Sequence, residues 1–185
     1  MKLTQIIFGG IFAFLLSFSI ISCINEPASE PVNEPSAEYL ALESAEKQLA
    51  ENLEMYETVW DDIINKGEID KINNTNFDEN ITLISAPDNV VGIKDFKDYY
   101  QNYLTGFSDI SFTIVDAFGQ GDKIVKHWNF KGTHSGEFFG IPASGKSVDI
   151  DGVTLVTMKD GKIAQEQDFM DNLSFYQQLG LIPTE

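Results

Sequence analysis

The chain has 185 residues and sets 29 acidic side chains against 12 basic ones, a formal charge of −17. Every basic residue is lysine; with no arginine fork for phosphates and a strongly negative surface, nucleic acid is excluded as a partner. The single cysteine, Cys23, excludes an internal disulfide and a thiol-based zinc site.

Lys2 followed by the apolar run Ile6 to Ile21 reads as an export signal over residues 1–22. The stretch I-I-S-C, Ile20 to Cys23, resembles a bacterial lipobox, in which a small residue fits the peptidase and the thiol takes the diacyl chain. Cys23 is therefore the expected lipidation site, and the chain is expected to be exported and lipid-anchored to the membrane of the bacterial cell envelope, on its periplasmic or cell-surface face. A transmembrane anchor with an incidental cysteine is the alternative, and the apolar run is short for a span. Residues 23–38, rich in Glu-Pro and poor in apolar side chains, read as an acidic tether. The folded domain is expected over residues 39–185, enough for one core.

Within it, Ser36 to Lys66 is predicted to be a long helix, because Leu49, Leu53, Tyr56, Trp60 and Ile63 share one face. Gly67 supplies a stop, and a short helical turn is predicted at Ile69 to Asn73. Asn80 to Ser85 is a predicted strand and Gly92 to Phe107 a second amphipathic helix, with Ile93, Phe96, Tyr100, Tyr103 and Phe107 at helical spacing. From Asp109 the period becomes two, setting Ile110, Phe112, Ile114 and Phe118 on one side of a strand. Gly119 to Asp122 is a hairpin signal, and the returning strand sets Ile124, Trp128 and Phe130 opposite Val125, His127 and Asn129. Ser147 to Met158 is a third long strand, Lys159 to Lys162 an Asp-Gly turn, the stretch from Lys162 the fourth strand, and Ser174 to Gly180 a closing helix. Helices ahead of an antiparallel meander give an α+β domain, with a curved sheet wrapped around the long helix and a concavity at one end.

No phosphate loop, dinucleotide fingerprint or zinc-protease motif is present. His127 and His134 are seven apart in strand sequence, which sends them to opposite faces and makes a poor metal site, so no metal is expected. On the last strand Gln167, Phe169 and Asp171 share one parity and Glu166, Asp168 and Met170 the other; an acid alternating with Phe169 is a candidate for the inner face. A carboxylate in an apolar cavity has a raised pKa and can exchange protons near neutral pH. Asp171 is equally placed to cap the helix that follows, and His134, flanked by Gly132 and Gly136, to bridge a turn. Tyr56, Trp60 and Trp128 fit core positions as well as a ligand site.

The stretches E-N-L-E-M-Y-E-T-V-W from Glu51, G-T-H-S-G-E-F-F-G-I-P-A-S-G-K from Gly132 and D-N-L-S-F-Y-Q-Q-L-G-L-I-P from Asp171 resemble the SnoaL-like polyketide cyclases, or ester cyclases, of the NTF2-like (cystatin-like) superfamily. The resemblance spans residues 51–183. It implies an NTF2-like cone, a pocket at its open end, and an acid on the final strand that serves as general acid/base in an intramolecular aldol closure, with no metal or cofactor. On it, Asp171 is the expected catalytic acid/base, His134 its polarising partner, and Trp128 and Tyr56 reach the pocket; Trp60 and Phe169 join these two as the expected substrate-binding side chains. Two departures stand out. The first strand lacks the histidine of many members, and Ala143 and Ser144 replace the Pro-Thr of the glycine-rich loop.

The expected activity is cofactor-free proton transfer on a small, largely apolar carbonyl compound, by cyclisation, isomerisation or lyase chemistry. The alternatives are an anchored cone that binds an apolar ligand without reaction, and a structural envelope lipoprotein whose cone serves homodimerisation.

Overall fold

The computed structural model describes residues 34–183. The expected leader, Cys23 and most of the tether lie outside the described residues. The long helix α1 runs Ala37–Ile64, started by Ser36, whose hydroxyl accepts from the Tyr39 amide at 3.1 Å. Its first turns are exposed; its last four bury Tyr56, Val59, Trp60, Ile63 and Ile64, with Leu49 and Leu53 partly covered along the predicted face. A 3-10 turn, Ile69–Lys71, leads to β1 (Phe77–Leu83) and a two-residue strand β2 (Val90–Val91). Helix α2 (Ile93–Gly106) follows and buries Phe96 and Tyr100. No helix among the described residues is long and apolar enough to cross a membrane.

The remaining strands are β3 (Phe107–Gln120), β4 (Lys123–His134), β5 (Ser147–Lys159) and β6 (Lys162–Met170), and helix α3 (Asn172–Leu179) ends the domain. The sheet order is β2-β1-β6-β5-β4-β3. The meander is antiparallel, as its turns require: Asp160 and Gly161 both take positive φ, the conformation that matches the twist of a two-residue hairpin. Strand β1, in contrast, inserts parallel to β6, pairing Leu83 with Glu166. The curved sheet closes over α1 and α2, and their apolar faces make one core from Tyr56 to Leu179.

Two bulges decide which side chains enter that core. In β3 the register slips between Ile114 and Asp116. Ile110, Phe112 and Ile114 stay on the inner side, as expected, but Phe118 turns outward and is exposed. In β6 the pairing with β5 slips between Ile163 and Gln165, so Ala164 is the extra residue. Counting by twos from buried Ile163 would bring Phe169 and Asp171 inside. The bulge instead turns Glu166, Asp168 and Met170 to the inner side and leaves Phe169 50% exposed on the outer face.

Candidate functional site

The site grows from three strands and two helices. Strand β4 alternates cleanly, so Lys126, Trp128 and Phe130 all point inward. Strand β5 contributes Thr154, and β6 contributes Glu166 and Asp168. From above, α1 lowers Tyr56 and Trp60, and α2 lowers Tyr100. Glu166 is fully buried: its Oε1 accepts from the Tyr56 hydroxyl at 2.6 Å and from Trp60 Nε1 at 3.1 Å. The Tyr100 hydroxyl lies 3.3 Å from Glu166 Oε2 and 3.2 Å from Asp168 Oδ2. The other Asp168 oxygen accepts from Thr154 at 2.5 Å, and that hydroxyl accepts from Trp128 Nε1 at 2.9 Å. A phenol has one hydrogen, so it donates to one of the two carboxyls. Whichever carboxyl is protonated can donate back to the phenol oxygen, and the three groups form a route for a proton.

Asp168 and Lys126 line a narrow inner chamber with about 50 Å³ of free space, walled by Trp60, Tyr103, Phe112, Trp128 and Phe130. Tyr103, Trp128, Asp168 and Met170 also border a wider cleft that continues outward past Phe139 and Tyr176. Asp168 thus faces ligand space, and Glu166 stands behind it.

Burial sets the charges. It pushes the Glu166 carboxyl up to about 7; Asp168 adds to the rise, while Lys126 and the Tyr56 and Trp60 hydrogen bonds oppose it. Burial also holds the Lys126 ammonium below its ordinary value, against the pull of Glu166 and Asp168. The Tyr56, Tyr100 and Tyr103 phenols are driven well above theirs, chiefly by burial, and stay protonated donors. Near neutral pH the site therefore has a carboxyl that is half protonated and a cation that is poorly solvated.

Residues 50–179 match the family model described as SnoaL-like polyketide cyclase. The chain belongs to the SnoaL-like polyketide cyclase family. No curated protein sequence matches it. Among solved structures it is similar to TsrD from Streptomyces laurentii, with 25% identity and a TM-score of 0.62 over 74% of this chain and 97% of that one. It is also similar to a Bacillus cereus protein named as a candidate polyketide cyclase, with 28% identity and a TM-score of 0.57 over 73% of this chain and 82% of that one. AclR from Streptomyces galilaeus, named as a candidate hydroxylase, shares the fold at 22% identity and a TM-score of 0.63, over 74% of this chain and 85% of that one. The fold is thus common to proteins named for different reactions, and this chain's reaction has to be argued from its own side chains.

In this SnoaL-like domain the expected site residues separate into two groups. Tyr56, Trp60 and Trp128 meet at the carboxylates or line the chamber. Asp171, His134 and Phe169 do not. Asp171 is exposed at the N-cap of α3, where its Oδ1 accepts from the Ser174 amide at 3.0 Å. Its helix-capping geometry holds it there, one residue beyond the end of β6. His134 is fully buried but bridges its own loop: Nδ1 accepts from the Ser144 amide at 3.3 Å and lies 3.1 Å from the Ser144 hydroxyl. Ser144, which stands where the family pattern has threonine, thereby ties the glycine-rich loop to β4. His134 packs against Phe107 and Phe138 and lines neither the chamber nor the cleft. Phe169 is on the far side of the sheet because of the Ala164 bulge.

Sequence pattern does not mark Lys126, Thr154, Glu166, Asp168 or Tyr100 as site residues. Lys126 carried a usable signal: it shares the inward parity of Ile124, Trp128 and Phe130. A lysine at a core-facing strand position has to be explained, because a buried ammonium needs a counter-charge.

Gly152, paired with Trp128 across β4 and β5, has a testable role. A Cβ at Gly152 would lie 2.2 Å from Trp128 Cζ2, so the indole occupies the space a side chain would take. Gly152→Ala is expected to displace the indole from Thr154 and destabilise the domain by about 1–3 kcal/mol, as overpacked cores do. A chemical-denaturation midpoint equal to wild type would show that the indole moves freely.

Proposed function

We propose that the protein binds a small, largely apolar carbonyl compound in the inner chamber and catalyses cofactor-free proton transfer at the carbon next to the carbonyl. Asp168 is the base, and Glu166 is the proton store behind it. The observation that carries this is the pair of carboxyls joined through the Tyr100 hydroxyl, with only Asp168 opening onto an aromatic-walled chamber. Proton abstraction α to a carbonyl needs a base of suitable pKa and a donor for the enolate oxygen. Asp168 is oriented by Thr154 on one oxygen and Tyr100 on the other, and the proton it takes can pass through Tyr100 to a carboxyl poised near 7. Cyclisation, isomerisation and lyase reactions all begin with this step. His134 and Asp171 then serve the frame: one fixes the loop that carries Phe138 and Phe139, the other starts α3.

The test uses 2-tetralone, an apolar ketone with acidic α-hydrogens. Quenching of Trp60 and Trp128 fluorescence reports binding, and incorporation of deuterium from D2O reports proton transfer. Saturable quenching with exchange above the buffer rate is expected. Quenching without exchange would reduce the protein to a binder, and the absence of both would overturn the proposal.

The same proposal places the domain outside the cytoplasm, anchored through Cys23; the support is the I-I-S-C stretch after an apolar run. Bacteria expressing the full chain and fed labelled palmitate are expected to label the wild type and not Cys23→Ala. Equal labelling of both would remove Cys23 as the anchor.

A further inference from the structure

We propose that Lys126 is a nucleophile whose ε-amino group condenses with a carbonyl ligand in the inner chamber to form a covalent imine. This rests on the carbonyl-ligand reading above and goes beyond it by naming the atom that would hold the ligand covalently.

Lys126 is only 3% exposed, yet its side chain lines the chamber. Its Nζ lies 4.6 Å from the Trp60 ring centroid, 5.1 Å from that of Tyr56 and 5.4 Å from that of Phe112. Among the described residues it takes part in no ion pair and no hydrogen bond. The paired lysines behave differently: Lys66, Lys71, Lys94, Lys131 and Lys159 each sit against a carboxylate, and their amines are held above the ordinary value. Lys126 is displaced the other way by burial, which raises the fraction of free amine at neutral pH. Asp168 and Lys126 share the chamber wall, so a carbonyl group there meets both an amine and a carboxyl.

The condensation balances without any oxidant or reductant. The Lys126 ammonium passes a proton, by way of a water molecule in the chamber, to a carboxylate of the Glu166–Asp168 pair. The amine lone pair then forms the C–N bond while the carbonyl π electrons move to oxygen, which takes that proton back and becomes the carbinolamine hydroxyl. A proton shifts from nitrogen to this hydroxyl by way of Asp168, the C–O bond breaks and water leaves, which gives the protonated imine. The net change is ammonium plus carbonyl to iminium plus water. The three aromatic faces that surround Nζ suit the cation before and after the step. The iminium also makes the adjacent C–H more acidic, so the same Asp168 becomes a more effective base for it.

The test treats the full-length protein at neutral pH with benzaldehyde, a carbonyl probe without α-hydrogens, and sodium cyanoborohydride, followed by peptide mapping by mass spectrometry. One reduced adduct at Lys126 is expected. It should exceed labelling of any paired surface lysine by about tenfold for each pKa unit that separates the amines. Prior saturation with 2-tetralone should protect Lys126 in the wild-type protein, and Lys126→Met should lose the adduct. Tryptophan quenching by benzaldehyde with no adduct at Lys126 overturns the imine and leaves the carbonyl site standing. Labelling spread over surface lysines, unprotected by 2-tetralone, overturns it too. The absence of quenching removes the carbonyl site, and the imine with it.

Discussion

Asn in place of Asp168 is expected to lower the rate of α-proton exchange on 2-tetralone by about 10²–10⁴-fold, the usual contribution of a positioned general base. The substitution preserves the frame. An Asn oxygen still accepts from Thr154 or Tyr100, so fold and ligand quenching should stay close to wild type. It also removes a negative charge that raises Glu166, so the pH midpoint of any residual exchange should move down from the neighbourhood of 7. Asp171→Ala is the matched control. It deletes the cap of α3 and should cost about 1 kcal/mol of stability, with exchange unchanged. A large loss of exchange in Asp171→Ala and none in Asp168→Asn would return the chemistry to the end of the strand and refute the assignment of Asp168.

Glu166→Leu is expected to destabilise the domain by about 2–5 kcal/mol, because it leaves two buried donors without an acceptor. Lys126 would lose one of two carboxylate neighbours, and the Tyr56 hydroxyl and Trp60 Nε1 would lose their acceptor. Glu166→Gln keeps an oxygen for both donors and should cost much less. The two variants separate charge from hydrogen bonding, and the pH dependence separates them again. Glu166 titrates from 4.5 in the unfolded chain to about 7 in the fold. Below 4.5 both states are protonated. Between 4.5 and about 7 only the unfolded state gives up this proton, so the native state binds more protons and stability falls as pH rises, by about 3 kcal/mol across the window. The surface carboxylates Asp62 and Asp78, held low chiefly by hydrogen bonds from lysines, titrate below 3.8, outside that window. Lys126 acts at the alkaline end. Its lowered pKa means the unfolded chain holds the extra proton just below 10.5, so stability rises with pH there. Urea midpoints measured from pH 4.5 to 7 should slope downward for wild type and lose this component in Glu166→Gln. Parallel curves for the two proteins would show that Glu166 is not the titrating group.

The fold and the site differ in how far local sequence dictates them. The helix face of Tyr56, Trp60 and Ile63 follows from a 3.6-residue period, and the three bury as that period requires. The four-strand meander follows from period-two runs and from turns whose residues accept positive φ. The long motifs around Gly132 and Asp171 carried the family, and with it the cone and the pocket at its mouth. These are local properties, set by neighbours along the chain.

The acid of the site is different in kind. Asp168 and Asp171 sit three residues apart, and the strand pattern offers either parity to the interior. The choice was made by one bulge at Ala164, where two strands adjust their twist to each other, and a single extra residue exchanges every inward side chain for its outward neighbour. The pairing of β1 parallel to β6 also lies outside any local signal, because it joins segments about 80 residues apart. The α+β class, the order of elements, the family and the aromatic walls follow from residue order and local pattern. Which carboxyl faces the chamber, and that Lys126 shares it, depends on register and burial, which are set by contacts between strands and helices far apart in the chain.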